Sequence, residues 1–467
     1  MSVRTIHVAG VVAVAAVGLV GPAPVRAADA PTCMGRTATI VGTPYADTLY
    51  GTPGDDVVWL GGTALEGQDH RYDIFHGDDG ADLVCQGGLG GADVDAGDGH
   101  DEVHLDGSGG TGVLQVSGGS GDDRLVAPAG EGARLSGGPG SDVLVGGAGR
   151  DFLGGGEGDD DIRAGGGDDR VSEGPGSDSV DAGAGDDLVT YNENYNGDET
   201  GSFEDDLVPD PVVVDAVTGT VRSGPDVDSV TGNECWEGTS KADTMTGSAG
   251  PDCFDGGEGT GADTIDAGDG DDLVRIYAGT VTAGGGSDLV RADYLRSDYN
   301  EPPDAIRTSI AVDAGPGADH VYANGFQMAA DGGRGADLLD LSELNRQDGS
   351  AVGWLVDSAE GLVAGTPREF QTTVDFSSFE AVMGSDYNDR FRGSASGDSF
   401  SGGSGEDRAK GGPGRDRLDG GRDRDVLEGG RGDDVLRGQR GRPDLADGGN
   451  GRDRCSAERR EECEAGA

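Results

Sequence analysis

The chain has 467 residues, and 89 acidic side chains against 34 Lys and Arg give it a formal net charge of -55 at pH 7. So negative a chain excludes nucleic acid and anionic membranes as partners, and with only 5% aromatic residues it should repel itself and stay largely unfolded when nothing neutralises it. Glycine fills 92 positions, about a fifth of the chain, which means many sites that need φ > 0 or a close backbone approach.

The N-terminus reads as a cleavable secretory signal. Arg4 is the positive flank, Val8 to Val20 is an apolar stretch too short to span a bilayer, and Val25-Arg26-Ala27 places cleavage after Ala27. No later run is long enough for a membrane helix, so the mature chain is expected to be soluble and extracellular. Six cysteines fit that oxidising compartment. Cys235 and Cys253 lie one 18-residue interval apart and Cys455 and Cys463 close a short C-terminal loop. Cys33 and Cys85 remain to tie down the N-terminal edge.

Residues 28–190 hold a cap and a first repeat block. From Gly137 to Thr190 one nine-residue unit recurs six times: GGPGSDVLV, GGAGRDFLG, GGEGDDDIR, AGGGDDRVS, EGPGSDSVD, AGAGDDLVT. The sixth place is always aspartate (Asp142, Asp151, Asp160, Asp169, Asp178, Asp187). The eighth is always apolar (Leu144, Leu153, Ile162, Val171, Val180, Val189). Looser units come first, with sixth-place Asp47, Asp56, Asp82, Asp101 and Asp123, and insertions break the count near Leu60 to Phe75 and Leu105 to Val116. A second block, 234–340, carries Asp243, Asp252, Asp263, Asp272, Asp288, Asp319 and Asp337. A third, 384–454, carries Asp389, Asp398, Asp407, Asp416, Asp425 and Asp434, slips by one residue at Pro443 and resumes with Asp444 and Asp453. Residues 455–467 form a cysteine-closed cap.

Two interruptions, 191–233 and 341–383, resemble each other. Val214-Asp215-Ala216-Val217-Thr218-Gly219-Thr220-Val221 in one matches Val356-Asp357-Ser358-Ala359-Glu360-Gly361-Leu362-Val363 in the other. Each leads to a glutamate nine residues before an aspartate, Glu234 before Asp243 and Glu380 before Asp389. Each returns to the repeat through Gly238-Thr239 or Gly384-Ser385, as the first block does through Gly42-Thr43. Both are expected to be strand-turn-strand with few metal positions.

A fixed period of nine with this pattern predicts an all-β, parallel β-roll of calcium-binding repeats. Six residues make a turn and three make a short strand whose middle residue faces inward, because side chains alternate along a strand. Hard cations suit the charge. Calcium takes about 6–8 oxygens, more than one short turn offers, so two stacked turns must share the ion. Stacked carboxylates about 5 Å apart repel by on the order of 1 kcal/mol per pair in water, and one aliphatic residue per unit is too little to offset the ordering of nine. Calcium binding should therefore be part of folding.

The pattern resembles the RTX, or hemolysin-type, calcium-binding repeat family, whose consensus is GGxGxDxUx with U a large apolar residue. The resemblance covers nearly all of the chain after the signal. It implies a right-handed roll with calcium in the turns and the sixth-place aspartates listed along the chain as ligands. Toxins and metalloproteases of that family carry a separate effector domain and an uncleaved C-terminal export signal. Neither is visible here, and the chain is more similar to secreted bacterial proteins made only of repeats. No HExxH, G-x-S-x-G or P-loop motif occurs, so no catalytic residue is assigned. His100 and His104 are expected in a turn and a strand rather than on one metal. His70 and His76 with Asp69 and Asp73 are a minor alternative, and Trp59, Trp236 and Trp354 are expected as packing residues. The expected function is a secreted, non-enzymatic protein that folds on calcium outside the cell. A calcium-dependent adhesin or matrix role with a cell-surface partner, or a toxin-related role, is the alternative.

Overall fold

The computed structural model describes residues 31–43, 46–61, 72–87, 90–106, 114–130, 132–191, 211–259, 261–293, 309–324, 327–343, 353–365, 373–439 and 443–463, with the backbone of 6–8 and 11–13. Among the described residues there is no helix. The chain is a parallel β-solenoid, and it divides into two compact units: Met1–Asp210 with Gly219–Glu237, and Pro211–Thr218 with Gly238–Ala467.

The nine-residue period becomes an eighteen-residue coil because successive units turn onto opposite faces. In the first unit Val143–Val145, Asp161–Gly166 and Ser179–Ala184 stack in parallel, with Leu144 opposite Ile162 and Ile162 opposite Val180. The intervening strands Phe152–Glu157, Arg170–Ser172 and Leu188–Thr190 stack as the other sheet, with Leu153 opposite Val171 and Val171 opposite Val189. All six of these eighth-place side chains are buried, so the core is two facing aliphatic files, one from each sheet. The second unit repeats the plan: Phe391, Ala409, Leu427 and Ala446 form one inward file, and Phe400, Leu418 and Leu436 the other.

The insertions leave the stack without disturbing it. Val57 pairs with Leu83 across one and Glu102 with Arg124 across the other. A one-residue slip would send every inward side chain to the surface, and the described strands on either side of each insertion keep their register. The interruptions are strand-turn-strand, as expected. Trp354–Asp357 and Thr373–Ser377 both run antiparallel to Leu362–Gly365. The first joins Arg390–Arg392 in parallel and the second joins Gln327–Asp331. In the first unit Thr220–Ser223 is antiparallel to Asp226–Thr231, which rejoins Ser179–Ala184 in parallel.

At the N-terminal edge a short hairpin, Thr32–Cys33 with Arg36–Thr37, is bridged to the roll by Cys33–Cys85, with Cα atoms 5.5 Å apart. Trp59 packs there with Cys33, Ala38, Val57 and Leu83. Trp236 and Trp354 are buried and Trp59 is half-buried, and all three tryptophans serve packing. Cys455–Cys463 closes the C-terminal loop, and Cys235 and Cys253 are each disulfide-bonded. The signal segment and the Asp69–His70 pair lie largely or wholly outside the described residues.

Glycine in the turns answers two separate constraints. Second-place Gly138 has φ +109°, and a Cβ on it would lie 2.1 Å from the carbonyl oxygen of Gly119 in the preceding coil. Gly138→Ala is expected to cost about 1–3 kcal/mol in urea unfolding of the calcium-saturated chain. Gly166→Ala, where a Cβ meets nothing nearer than 3.5 Å, should be close to neutral.

Candidate metal centre

Every turn ends on its sixth-place aspartate, and these aspartates form ladders along the stack. In the first unit the backbone N–H of each rung donates to Oδ1 of the aspartate one coil further on. The main file runs through Asp56, Asp82, Asp101, Asp123, Asp142, Asp160, Asp178 and Asp228, at 2.6–3.0 Å. On the other side Asp151 and Asp169 donate in turn to Asp169 and Asp187, both at 2.8 Å. In the second unit one file takes Asp252, Asp272, Asp288, Asp319 and Asp337. Others take Asp243 and Asp263; Asp389, Asp407, Asp425 and Asp444; and Asp398, Asp416, Asp434 and Asp453. Of the 25 predicted positions all are buried except Asp47, Asp252 and Asp398, which are half-buried.

Each rung thus spends one carboxylate oxygen on backbone. The other, Oδ2, is buried without a hydrogen-bond donor in Asp82, Asp101, Asp123, Asp142, Asp169, Asp178 and Asp187. The same holds for Asp272, Asp288, Asp319, Asp337, Asp407, Asp416, Asp425, Asp434, Asp444 and Asp453. A buried charge without a partner is costly, and it either takes a proton or a cation. The first-place glycine shows where a cation would go. A Cβ on Gly137 would sit 2.1 Å from Asp142 Oδ2 and 2.5 Å from the carbonyl oxygen of Gly155, one coil on. Gly118, Gly402 and Gly429 border the same cradle with Asp123, Asp407 and Asp434. A bare carboxylate oxygen and a glycine carbonyl from the next coil converge on one spot, and any side chain would fill it. An all-oxygen donor set of this kind fits calcium, a hard cation.

The electrostatics differ in cause from the sequence expectation. Repulsion between stacked carboxylates was expected to lead. Instead burial is the largest influence, the ladder N–H opposes it, and neighbouring carboxylates add to it. Burial pushes Asp82 and Asp123 up to about 7, and Asp178, Asp263 and Asp407 up to about 8. Asp142, Asp187, Asp272, Asp319, Asp416 and Asp425 rise to about 6 for the same leading reason. The thin roll still removes these groups from water, because the turn itself covers them.

Several participants were not legible as a repeat. Asp73 is a rung, accepting the N–H of Asp47 at 2.9 Å, rather than a partner of His76, which lies 3.7 Å from Asp95. His100 Nδ1 accepts the N–H of Asp122, while His104 meets Glu102, so the two histidines share no site. Asp228 continues a ladder from within an interruption. Glu234, Glu380 and Glu458 end three ladders by accepting the N–H of Asp187, Asp337 and Asp444 at 2.9–3.1 Å. Their extra methylene reaches back where no turn aspartate follows. Glu173 stands in a first place that the other five regular units give to glycine or alanine. Its buried carboxyl gathers with Asp178 and Asp228, ligand atoms within 4.8 Å of one another, and accepts the Tyr191 hydroxyl at 2.9 Å. Fifth-place side chains form an outer ladder: Asp122, Asp159, Asp168, Asp271 and Asp433 accept N–H groups of the following coil.

A family model described as the RTX calcium-binding nonapeptide repeat matches residues 36–63, 136–171, 174–194, 237–260, 259–275, 383–418 and 410–445. The chain carries RTX calcium-binding repeats. No curated protein matches it. The matched segments include the turns of Asp142, Asp169, Asp178, Asp187, Asp272, Asp407, Asp416, Asp425, Asp434 and Asp444, whose Oδ2 atoms are bare. The chain is accordingly a calcium-binding β-roll. No helix of the described residues is long and apolar enough to cross a membrane.

Proposed function

We propose that this RTX roll is a secreted, non-catalytic protein that folds when it meets calcium outside the cell. The observation that carries the reading is the cradle at first-place glycines such as Gly118, Gly137, Gly402 and Gly429, where a donorless Oδ2 faces a carbonyl of the next coil. Asp82, Asp101, Asp123, Asp142, Asp160, Asp169, Asp178 and Asp187 would hold calcium in the first unit. Asp263, Asp272, Asp288, Asp319, Asp337, Asp407, Asp416, Asp425, Asp434, Asp444 and Asp453 would do so in the second. The bound ion supplies positive charge between two coils; the chain supplies the oxygens, fixes them with the Oδ1 ladder and keeps water out with the turn. Cytosolic calcium is too scarce to load such open-chain sites, so the acidic chain would stay unfolded until export, a reading that the disulfides support. Equilibrium dialysis at millimolar free calcium should find many ions per chain, undiminished by equimolar magnesium, which demands tighter octahedral geometry. One ion or none would refute the reading.

A further inference from the structure

The first coil of each repeat block is built differently from those that follow. In most interior turns the second place has positive φ, on glycine at Gly119 (+103°), Gly156 (+112°), Gly403 (+95°) and Gly412 (+108°), and on Asp78 (+135°) in the turn of Asp82. In the first two turns of the three blocks that place holds Thr43 and Thr52, Thr239 and Ser248, and Ser385 and Ser394. None of the six has positive φ.

In these turns the backbone takes a different course. The N–H of the second residue now points at Oδ2 of its own turn's aspartate. Thr52 reaches Asp56 at 2.8 Å, Thr239 reaches Asp243 at 2.7 Å, Ser248 reaches Asp252 at 2.6 Å, Ser385 reaches Asp389 at 2.7 Å and Ser394 reaches Asp398 at 2.8 Å. Thr43 bonds Asp47 in the same way. The hydroxyls of Thr43, Thr52, Thr239, Ser385 and Ser394 donate to the same oxygens at 2.8–3.1 Å. The Ser248 hydroxyl instead accepts the Gly250 N–H. The remaining oxygen of Asp243 takes the N–H of Val212 at 2.7 Å, and that of Asp389 takes the N–H of Trp354 at 2.6 Å, each from the strand that precedes its block. None of these six aspartates has a bare buried oxygen, whereas the interior rungs do. Asp151, whose Oδ1 takes the N–H of Ala133 rather than of a preceding aspartate, follows the opening pattern with Gly147, which shows that stack position and not the hydroxyl alone sets the conformation.

We propose that each block opens on a coil closed by the protein's own donors instead of by an ion. On this reading, which rests on the interior turns holding calcium, Asp47, Asp56, Asp243, Asp252, Asp389 and Asp398 are backbone anchors and not ligands. Thr43, Thr52, Thr239, Ser385 and Ser394 are the positioning residues that replace the cation, and the opening coil is the template on which the first calcium-bearing coil stacks.

The test compares two paired variants of the full chain by equilibrium dialysis in millimolar calcium. Asp389→Asn with Asp398→Asn removes both charges while leaving each side chain one acceptor oxygen for its local donors, and it should bind as many ions as the unaltered chain. Asp416→Asn with Asp425→Asn should bind fewer. Equal losses from both pairs overturn the inference; no loss from the interior pair overturns the calcium reading and this inference with it. A second measurement decides the matter if the first pair does not fold. Ser385→Ala with Ser394→Ala should raise the calcium concentration needed for the sheet signal by roughly an order of magnitude without changing the ion count. Ser385→Thr with Ser394→Thr should restore it. An unchanged midpoint in the alanine pair sinks the proposal.

Discussion

Exhaustive dialysis of the folded chain against EDTA is expected to abolish most of its far-ultraviolet sheet signal and to expand it on size-exclusion chromatography, with calcium restoring both and magnesium restoring neither. The roll has a thin core of one inward file per sheet, a single eighth-place residue per nine, such as Leu144, Leu153 or Ile162. Burying each is worth about 1.5–3 kcal/mol, whereas fixing the backbone of every one of the nine residues costs about 1–2 kcal/mol. Against that thin core stand the bare Oδ2 atoms of the interior rungs. Removing a cation from such a group leaves a buried charge unpaired, and the cost recurs at each coil because each coil rests only on its neighbours. Loss should therefore be cooperative within a block. A chain that keeps its sheet signal and its compactness in excess EDTA would show that the aliphatic files and the ladders suffice by themselves.

Acid should partly substitute for calcium. Free aspartate titrates near 4 (about 3.9), whereas burial raises the rungs of the metal-free roll to about 6 at Asp142, Asp187 and Asp416, about 7 at Asp82 and Asp123, and about 8 at Asp178, Asp263 and Asp407. The folded state thus holds protons that the unfolded state has released. By linkage their contribution to stability is complete below the unfolded value and is lost as pH rises through the folded values. In EDTA, sheet signal should therefore return as pH is lowered from about 8 toward about 4. In calcium the same protons compete for the same oxygens, so calcium affinity should fall across that window. The discriminating feature is the onset. Exposed carboxylates gain protons only near their ordinary value, so a chain in EDTA that regains no structure until about pH 4 would mean the rungs are not held out of water as the fold places them.

Most of the fold was legible because translation along the stack maps each unit onto itself. An aspartate at every sixth place and an aliphatic at every eighth place can satisfy a parallel ladder only if Asp142 lies over Asp160 and Leu144 beside Ile162, as they do. The kinship of the two interruptions was legible as well, from Val214 and Val356 in matching strands. What could not be read was the state of each aspartate's two oxygens. Asp142 and Asp389 occupy the same place in the same nine-residue unit, yet one carries a bare Oδ2 and the other is bonded to Ser385. Nor did spacing predict Asp73 and Asp228 as rungs, or a role for Glu234 and Glu380, since insertions and interruptions put them 26 to 50 residues from the rungs they join.

The sequence by itself determined the period, the two strands per coil, the inward files and the acidic lining, because these depend only on a residue's place within its own unit. Only the tertiary structure decided which carboxylates are left bare for a cation, which are closed by a hydroxyl, and where each ladder ends. Those outcomes depend on what lies one coil above and one coil below, and stacking neighbours are chosen by the path of the chain in space rather than by distance along it.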